Sequence, residues 1–323
     1  MTAAAQASLA EHGADAIAKG SKSFALASLL FGKDMQADVH MLYAWCRHCD
    51  DVIDGQTLGG DAPDGALSRE DMRNRLELLR AQTRMALNGE RTGVPAFDGF
   101  AQVAARRGIP EVYPMDLLDG FAHDAEGRTY ETLDDLMDYC YGVAGVVGVM
   151  MAIVMGVDAA DDETLDRACD LGLAFQLTNI CRDVADDARG GRVYLPLDLL
   201  SRAGVTAAPE ALREPLNRNA IASVVAKVLA EADRYYASAG KGARRLPFRA
   251  AAAVLAARNV YREIGRKVEA LGPRAWDERT VVSNPRKLWL AAAGVCASAG
   301  QAALLRGRPL SARESLWKRP VRT

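Results

Sequence analysis

Phe175-Gln-Leu-Thr-Asn-Ile-Cys-Arg-Asp-Val-Ala-Asp-Asp187 is the stretch on which the reading of this chain turns. On a helix, Gln176, Asn179, Asp183 and Asp187 share one face, each about one turn from the next. Residues 171–181 are otherwise mostly apolar, so a polar ladder runs down a helix that belongs in an interior. Buried polar groups are costly unless each finds a partner. Metal ions and a diphosphate would be such partners. A second stretch, Leu42-Tyr-Ala-Trp-Cys-Arg-His-Cys-Asp-Asp-Val-Ile-Asp54, repeats the arrangement with Tyr43, Arg47, Asp50 and Asp54 on one face. Two carboxylates one turn apart repel, by a few tenths of a kcal/mol on a bare helix and by more when buried. A hard divalent ion such as Mg²⁺ suits that geometry, because it takes one or two protein carboxylates and completes its shell with water and phosphate oxygens.

Working outward, helical signals dominate and no period-two alternation is long enough for a sheet. Asp34 caps a helix running to about Asp54. Ser68 with Asp71 resembles a capping box that opens a helix through about Leu87. Thr132 with Asp134 and Asp135 starts another, continuing through the apolar run 142–157. Asp161 and Asp162 start a fourth that reaches about Asp187, and further helices cover 218–238, 246–271 and 284–305. Turn-like breaks fall at Gly55 to Ala66 and at Gly190-Gly191. No linker or repeat divides the chain, which predicts a single all-α domain over residues 1–323.

The composition agrees. Half of the 323 residues are hydrophobic and only 6% aromatic, so the core is built from Ala, Leu, Val and Met. Lys and Arg number 40 against 42 acids, for a net charge of −2, which argues against a nucleic-acid partner. That balance hides an asymmetry: from Pro273 onward ten basic residues face three acids, a surplus of seven, leaving −9 for the rest. Six cysteines inside helical segments suit a reducing cytoplasm. Met1 to Ala10 has no basic stretch followed by an apolar one, so no secretory signal is read there. Gly142 to Val157 is too short for a comfortable membrane span, and Leu288 to Leu305 is mostly Ala and Gly; both are read as buried helices.

Acid pairs four residues apart are not rare. With 42 acids in 323 positions, chance supplies on the order of five. Asp134/Asp138 and Asp166/Asp170 are read as decoys, the first pair because acids at a helix start complement the macrodipole. Charge pattern alone leaves solvated acidic faces open as the reading of the two favoured pairs as well.

The flanking residues decide. Ser21-Lys-Ser-Phe24, Leu42 to Asp54, Tyr139-Cys-Tyr-Gly-Val-Ala-Gly-Val-Val-Gly148, Leu171 to Asp187 and Arg192-Val-Tyr-Leu-Pro196 resemble the squalene/phytoene synthase family, in its order and spacing, over roughly residues 15–270. The similarity is nearest to the bacterial phytoene-forming branch. It implies an all-α isoprenoid-synthase bundle around a central cavity. It implies that Asp50, Asp54, Asn179, Asp183 and Asp187 hold Mg²⁺ (or Mn²⁺), and that Ser21, Ser23, Arg47 and Arg182 bind diphosphate. Tyr43, Tyr139, Gln176, Tyr194 and Tyr261 match cavity-lining positions, with Tyr43 and Tyr261 placed at the chemistry, and Arg279 is a looser match near the tail. The implied activity is head-to-head condensation of two geranylgeranyl diphosphates through prephytoene diphosphate, in carotenoid biosynthesis, without NADPH. The rivals are a C15-using relative making dehydrosqualene or squalene, and a non-catalytic scaffold member that would have lost the acids.

Other features carry less. Cys46 and Cys49 lack a second cysteine pair for zinc, and His12, His40, His48 and His123 form no cluster. Gly142, Gly145 and Gly148, at helical spacing, either open room for a prenyl chain or let helices pack closely. The basic tail of about 306–323 suggests peripheral membrane contact through Lys318, Arg319 and Arg322 beside Trp317, or a solvated tail. The expectation is a cytoplasmic protein at a membrane face, near downstream carotenoid enzymes.

Overall fold

The computed structural model describes residues 3–55, 68–304, 309–313 and 315–320, and these carry helices and no strand. In chain order the helices are α1 (Ala3–Gly20), α2 (Lys22–Ser28), α3 (Lys33–Asp54), α4 (Arg69–Leu87), α5 (Pro95–Arg107), α6 (Val112–Glu126), α7 (Leu133–Cys140), α8 (Val146–Val154), α9 (Asp162–Arg189), α10 (Leu197–Arg202), α11 (Pro209–Arg213), α12 (Arg218–Gly242), α13 (Phe248–Leu271) and α14 (Asn284–Leu304). A π-helical turn, Tyr141–Gly145, joins α7 to α8 without a break.

The expected helix starts are largely where the capping chemistry placed them. Ser68 and Asp71 form the full capping box of α4, and Thr132 with Asp135 does the same for α7. Asp161 caps α9 by accepting from the Thr164 amide. Asp34 does not cap α3: Gly32 holds the N-cap position, and Asp34 lies in the first turn, where an acid suits the dipole. Helices α1, α2, α5, α6, α10 and α11 were not anticipated. The turn at Gly55 to Ala66 falls almost wholly outside the described residues, as do Met1 and the tail residues Arg306, Arg308 and Arg322.

α9 is the axis of the fold. It packs against α12, α13, α8 and the π turn, while α3 packs against α1 and α5. The approach of α8 to α9 is very close. A Cβ at Gly148 would stand 2.3 Å from the Ala168 carbonyl oxygen, and one at Gly142 would stand 2.7 Å from Gly120 Cα. The glycine ladder therefore serves close helix packing, although Gly148 also borders the cavity described below. The helical stretch Leu133–Val154 is long and apolar enough to cross a membrane, yet its most apolar window is 67% buried inside the fold.

Two expectations about the C-terminal part are corrected. α14 is not a buried helix: only Leu290, Gly294 and Ser298 are buried against α13, while Leu288 and Trp289 are 59% and 58% exposed. Its abundant Ala and Gly raise apolar content without supplying bulk to bury. The described part of the tail, 309–313 and 315–320, is not free either. Arg319 is buried and pairs with Asp162 and, at 2.7 Å, with Asp166; Arg313 reaches Asp170 at 2.5 Å. Trp317 packs on Tyr141 and donates its indole N–H to Asp138. Both acid pairs read as decoys are thus engaged by the tail, and Asp170 is fully buried rather than solvated.

Candidate active site

The C-terminal half of α9, together with α3, builds a polar mouth on a cavity of about 370 Å³. Asp50, Arg47 and Tyr43 from α3 line it, with Gln176 and Asn179 from α9, Tyr139 from α7 and Tyr261 from α13. Below the mouth the walls are apolar, including Val143, Val147, Met151, Leu171 and Val254. The α9 positions that face the lumen, from Asn179 through Phe175 and Leu171 to Arg167, recur three or four residues apart, as one helix face must.

Three of the four motif acids are held by arginines, and of the four only Asp50 is among the residues that line the cavity. Arg47 bonds Asp50 at 2.8 Å and Asp51 at 2.6 Å; Arg192 bonds Asp54 at 2.7 Å. Arg182 donates through Nε to Asp183 at 2.7 Å, and Arg279 reaches the same carboxylate at 3.3 Å. The Asp187 carboxylate has no hydrogen-bond or ion-pair partner among the described residues, although its backbone carbonyl accepts from the Arg192 amide at 2.9 Å. The electrostatics follow from this. Burial, with Asp54 one turn away, pushes Asp50 up to about 7 despite Arg47. Burial and the charge of Asp183 likewise push Asp187 up to about 7. Asp183 is also penalised by burial, but Arg182 and Arg279 outweigh it and hold the group below its usual value.

No three His, Cys, Asp or Glu side chains converge on one point among the described residues. The oxygen donors are divided between α3 and α9. One of them, Asn179 Oδ1, is buried without a hydrogen-bond partner, which is uncommon for a buried amide oxygen.

Two parts of the site were not read from the sequence. Asp124, near the end of α6, lines the cavity and accepts from Tyr194 at 2.6 Å and from Tyr139 at 3.0 Å. No motif marks it; only the fold brings it to these phenols. Tyr194 itself does not line the cavity. It stands behind, stacked on Tyr139 with ring centroids 5.3 Å apart. Burial raises both phenols well above their usual range, so they remain neutral hydroxyls. The second is the pair Phe24 and Phe175, which join the expected Tyr43 and Tyr261 in an aromatic group beneath the mouth. Phe175 lies 4.2 Å from Tyr261 and 5.5 Å from Phe24, centroid to centroid, with Phe24 and Tyr43 6.3 Å apart. Ser21 caps α2 and is hydrogen-bonded to Tyr261, while Ser23 is half-buried on the same short helix. Arg192, part of a quoted motif but given no role there, proves to be the partner of Asp54.

An all-helical bundle with two acid-bearing helices at the polar mouth of a deep apolar cavity defines a helical isoprenoid synthase. Squalene/phytoene synthase is the family whose pattern matches residues 17–286, and the chain belongs to it. It is 48% identical over 315 residues to a 15-cis-phytoene synthase of Pantoea ananas, covering 97% of this chain and 99% of that one. It is 47% identical over 306 residues to the 15-cis-phytoene synthase of a Paracoccus species, covering 95% and 96%. Among solved structures, a dehydrosqualene synthase with bound ligand superposes with a TM-score of 0.78 at 28% identity, covering 90% of this chain and 96% of that one.

Proposed function

We propose that this chain is a phytoene-forming prenyltransferase. It joins two geranylgeranyl diphosphates head-to-head through prephytoene diphosphate and releases diphosphate, as a step of carotenoid biosynthesis. The carrying observation is the cavity: charged and hydrogen-bonding at one end, apolar along its length, and continuous along one face of α9. The 48% identity to a 15-cis-phytoene synthase favours C20 substrates over the C15 chemistry named for the 28%-identical structure. Retention of all four motif acids speaks against a scaffold role.

Asp50, Asp54, Asn179, Asp183 and Asp187 are oxygen donors of the kind Mg²⁺ or Mn²⁺ takes, and the unpartnered Asn179 oxygen fits that assignment. When bound, such ions would neutralise the leaving diphosphate as Lewis acids. The chain's own residues do the rest. Arg47, Arg182, Arg192 and Arg279, each paired with an acid, offer planar guanidinium donors matched to phosphate oxygens. Ser21 and Ser23 add hydroxyls beside them. Losing diphosphate from an allylic carbon leaves a carbocation, which survives only where water and nucleophiles are excluded. Phe24, Phe175, Tyr43 and Tyr261 turn rings toward the lumen, and ring quadrupoles favour positive charge. Tyr139, its hydroxyl committed to Asp124, remains a neutral wall rather than a nucleophile.

Purified protein incubated with Mg²⁺ and either C15 or C20 diphosphate, with and without NADPH, tests this directly. The expected product is phytoene from the C20 substrate, with no requirement for reductant. Squalene or dehydrosqualene as the main product would overturn it. The same reading puts the enzyme in the cytoplasm against a membrane face and near downstream carotenoid enzymes, because substrate and product are apolar. Exposed Leu288 and Trp289 beside Arg286 and Lys287 support a contact through α14 rather than through the tail. Equal binding of wild type and Trp289→Asp to anionic liposomes would dismiss that contact.

A further inference from the structure

The far end of the cavity is closed by a charged residue. Arg167, on the N-terminal part of α9, lines the lumen yet is only 2% exposed. It lies twelve residues before Asn179, or ~18 Å along the helix axis at 1.5 Å per residue. Its stem is pressed by α12, because a Cβ at Gly242 would stand 2.5 Å from Arg167 Cβ. Its guanidinium is drawn out of the lumen. One nitrogen donates to Ser238 Oγ at 3.0 Å and another to the carbonyl of Ser311. Ser238 in turn donates to Asp170, which Arg313 clamps at 2.5 Å. Arg244 and Arg234 hold the carbonyls of Pro309 and Ser315. Residues 309–313 and 315–320 thus form a strap across the outside of the cavity's end, and the strap lies beyond the residues 17–286 that match the family.

We propose that Arg167, anchored by this strap, is the floor of the prenyl cavity and limits the length of chain the enzyme accepts. With the diphosphate held at the polar mouth, an apolar chain runs down the α9 face past Phe175 and Leu171, and its free end meets the Arg167 stem. A chain one isoprene unit longer would have to displace a buried guanidinium from its acceptors. This inference rests on the phytoene-forming reading and adds a length-setting residue to it.

The test compares kcat/KM for C15, C20 and C25 all-trans prenyl diphosphates in the full-length protein. Arg167→Ala is expected to raise the C25/C20 ratio by about tenfold or more, the discrimination a hydrophobic pocket gains from one or two methylenes of fit, while Arg167→Met, which keeps the stem's bulk but loses its anchor, should raise it by less than Arg167→Ala does. Ala168→Leu, also lining the lumen next to the floor, reads the same geometry with opposite sign and does not depend on Arg167→Ala folding. It should lower the C20/C15 ratio by about tenfold. A folded Arg167→Ala protein with an unchanged C25/C20 ratio, or Ala168→Leu with an unchanged C20/C15 ratio, overturns the assignment. Wild-type protein inactive on all three substrates overturns the phytoene-forming reading, and this inference with it.

Discussion

The two halves of α9 carry the same chemical pattern and put it to opposite uses. In the N-terminal half, Asp162, Asp166 and Asp170 are one turn apart, and the C-terminal strap neutralises them with Arg313 and Arg319. In the C-terminal half, Asp183 and Asp187 repeat the spacing beside Asn179, but the Asp187 carboxylate and the Asn179 side-chain oxygen have no protein partner among the described residues. One half is closed by its own chain; the other still has unpaired oxygens, that of Asn179 on the cavity lining. Spacing alone does not separate a structural acid pair from a ligand-binding one. What packs opposite does.

The largest expected difference is in turnover. Asp183→Asn should lower kcat/KM by roughly 10²–10³-fold or more, the size seen when a group that stabilises transition-state charge is lost, and lower the melting temperature modestly because Arg182 and Arg279 then face a neutral amide. Asp50→Ala on the facing helix should do the same. Activity near wild type in either would place the C-terminal half among structural acids. In the N-terminal half the effect moves to stability. Arg313→Met strands the fully buried Asp170, and urea unfolding should show a loss of about 3–5 kcal/mol. Adding Asp170→Leu should restore most of it, with turnover of the folded enzyme retained. A loss too small to measure in the single variant would show that the strap is not a buried clamp.

Asp124 sharpens where the functional half ends. Asp124→Asn keeps an acceptor but weakens the hold on Tyr139 and Tyr194, so kcat should fall by about tenfold with little change in stability. A change confined to melting temperature would move Asp124 to the structural side. The smallest effect is in pH. Asp50 and Asp187 rise on folding from about 4 to about 7, so they stabilise the metal-free protein fully below pH ~4, and this is lost as pH rises through 7. A divalent cation binds their ionised forms. Thermal melts should therefore show a Mg²⁺-dependent gain of a few degrees that is larger at pH 8 than at pH 6. A gain independent of pH would detach these two carboxylates from the cation.

Much of this was legible in the residues. The caps at Ser68, Thr132 and Asp161 lie where side-chain chemistry located them, because capping is a local interaction. The polar ladder of α9 and the pair on α3 were legible for the same reason: helical spacing is short-range. Asp124 was not, since its role comes from two tyrosines 15 and 70 positions away. The exposure of α14 was missed because apolar composition does not reveal how narrow a stripe is buried. The burial of Arg319 in the tail was missed for a related cause. Arg313 and Arg319 looked unpaired in sequence because their partners lie more than 140 residues earlier.

By itself, then, the sequence determined the helices, their caps and the faces on which acids and amides align, since these depend on neighbours within a turn or two. Only the tertiary structure decided which acids are satisfied and which are left for a ligand. The reason is physical: a carboxylate's charge state and cost depend on burial and on the nearest cation, and both are set by what packs against its helix from elsewhere in the chain.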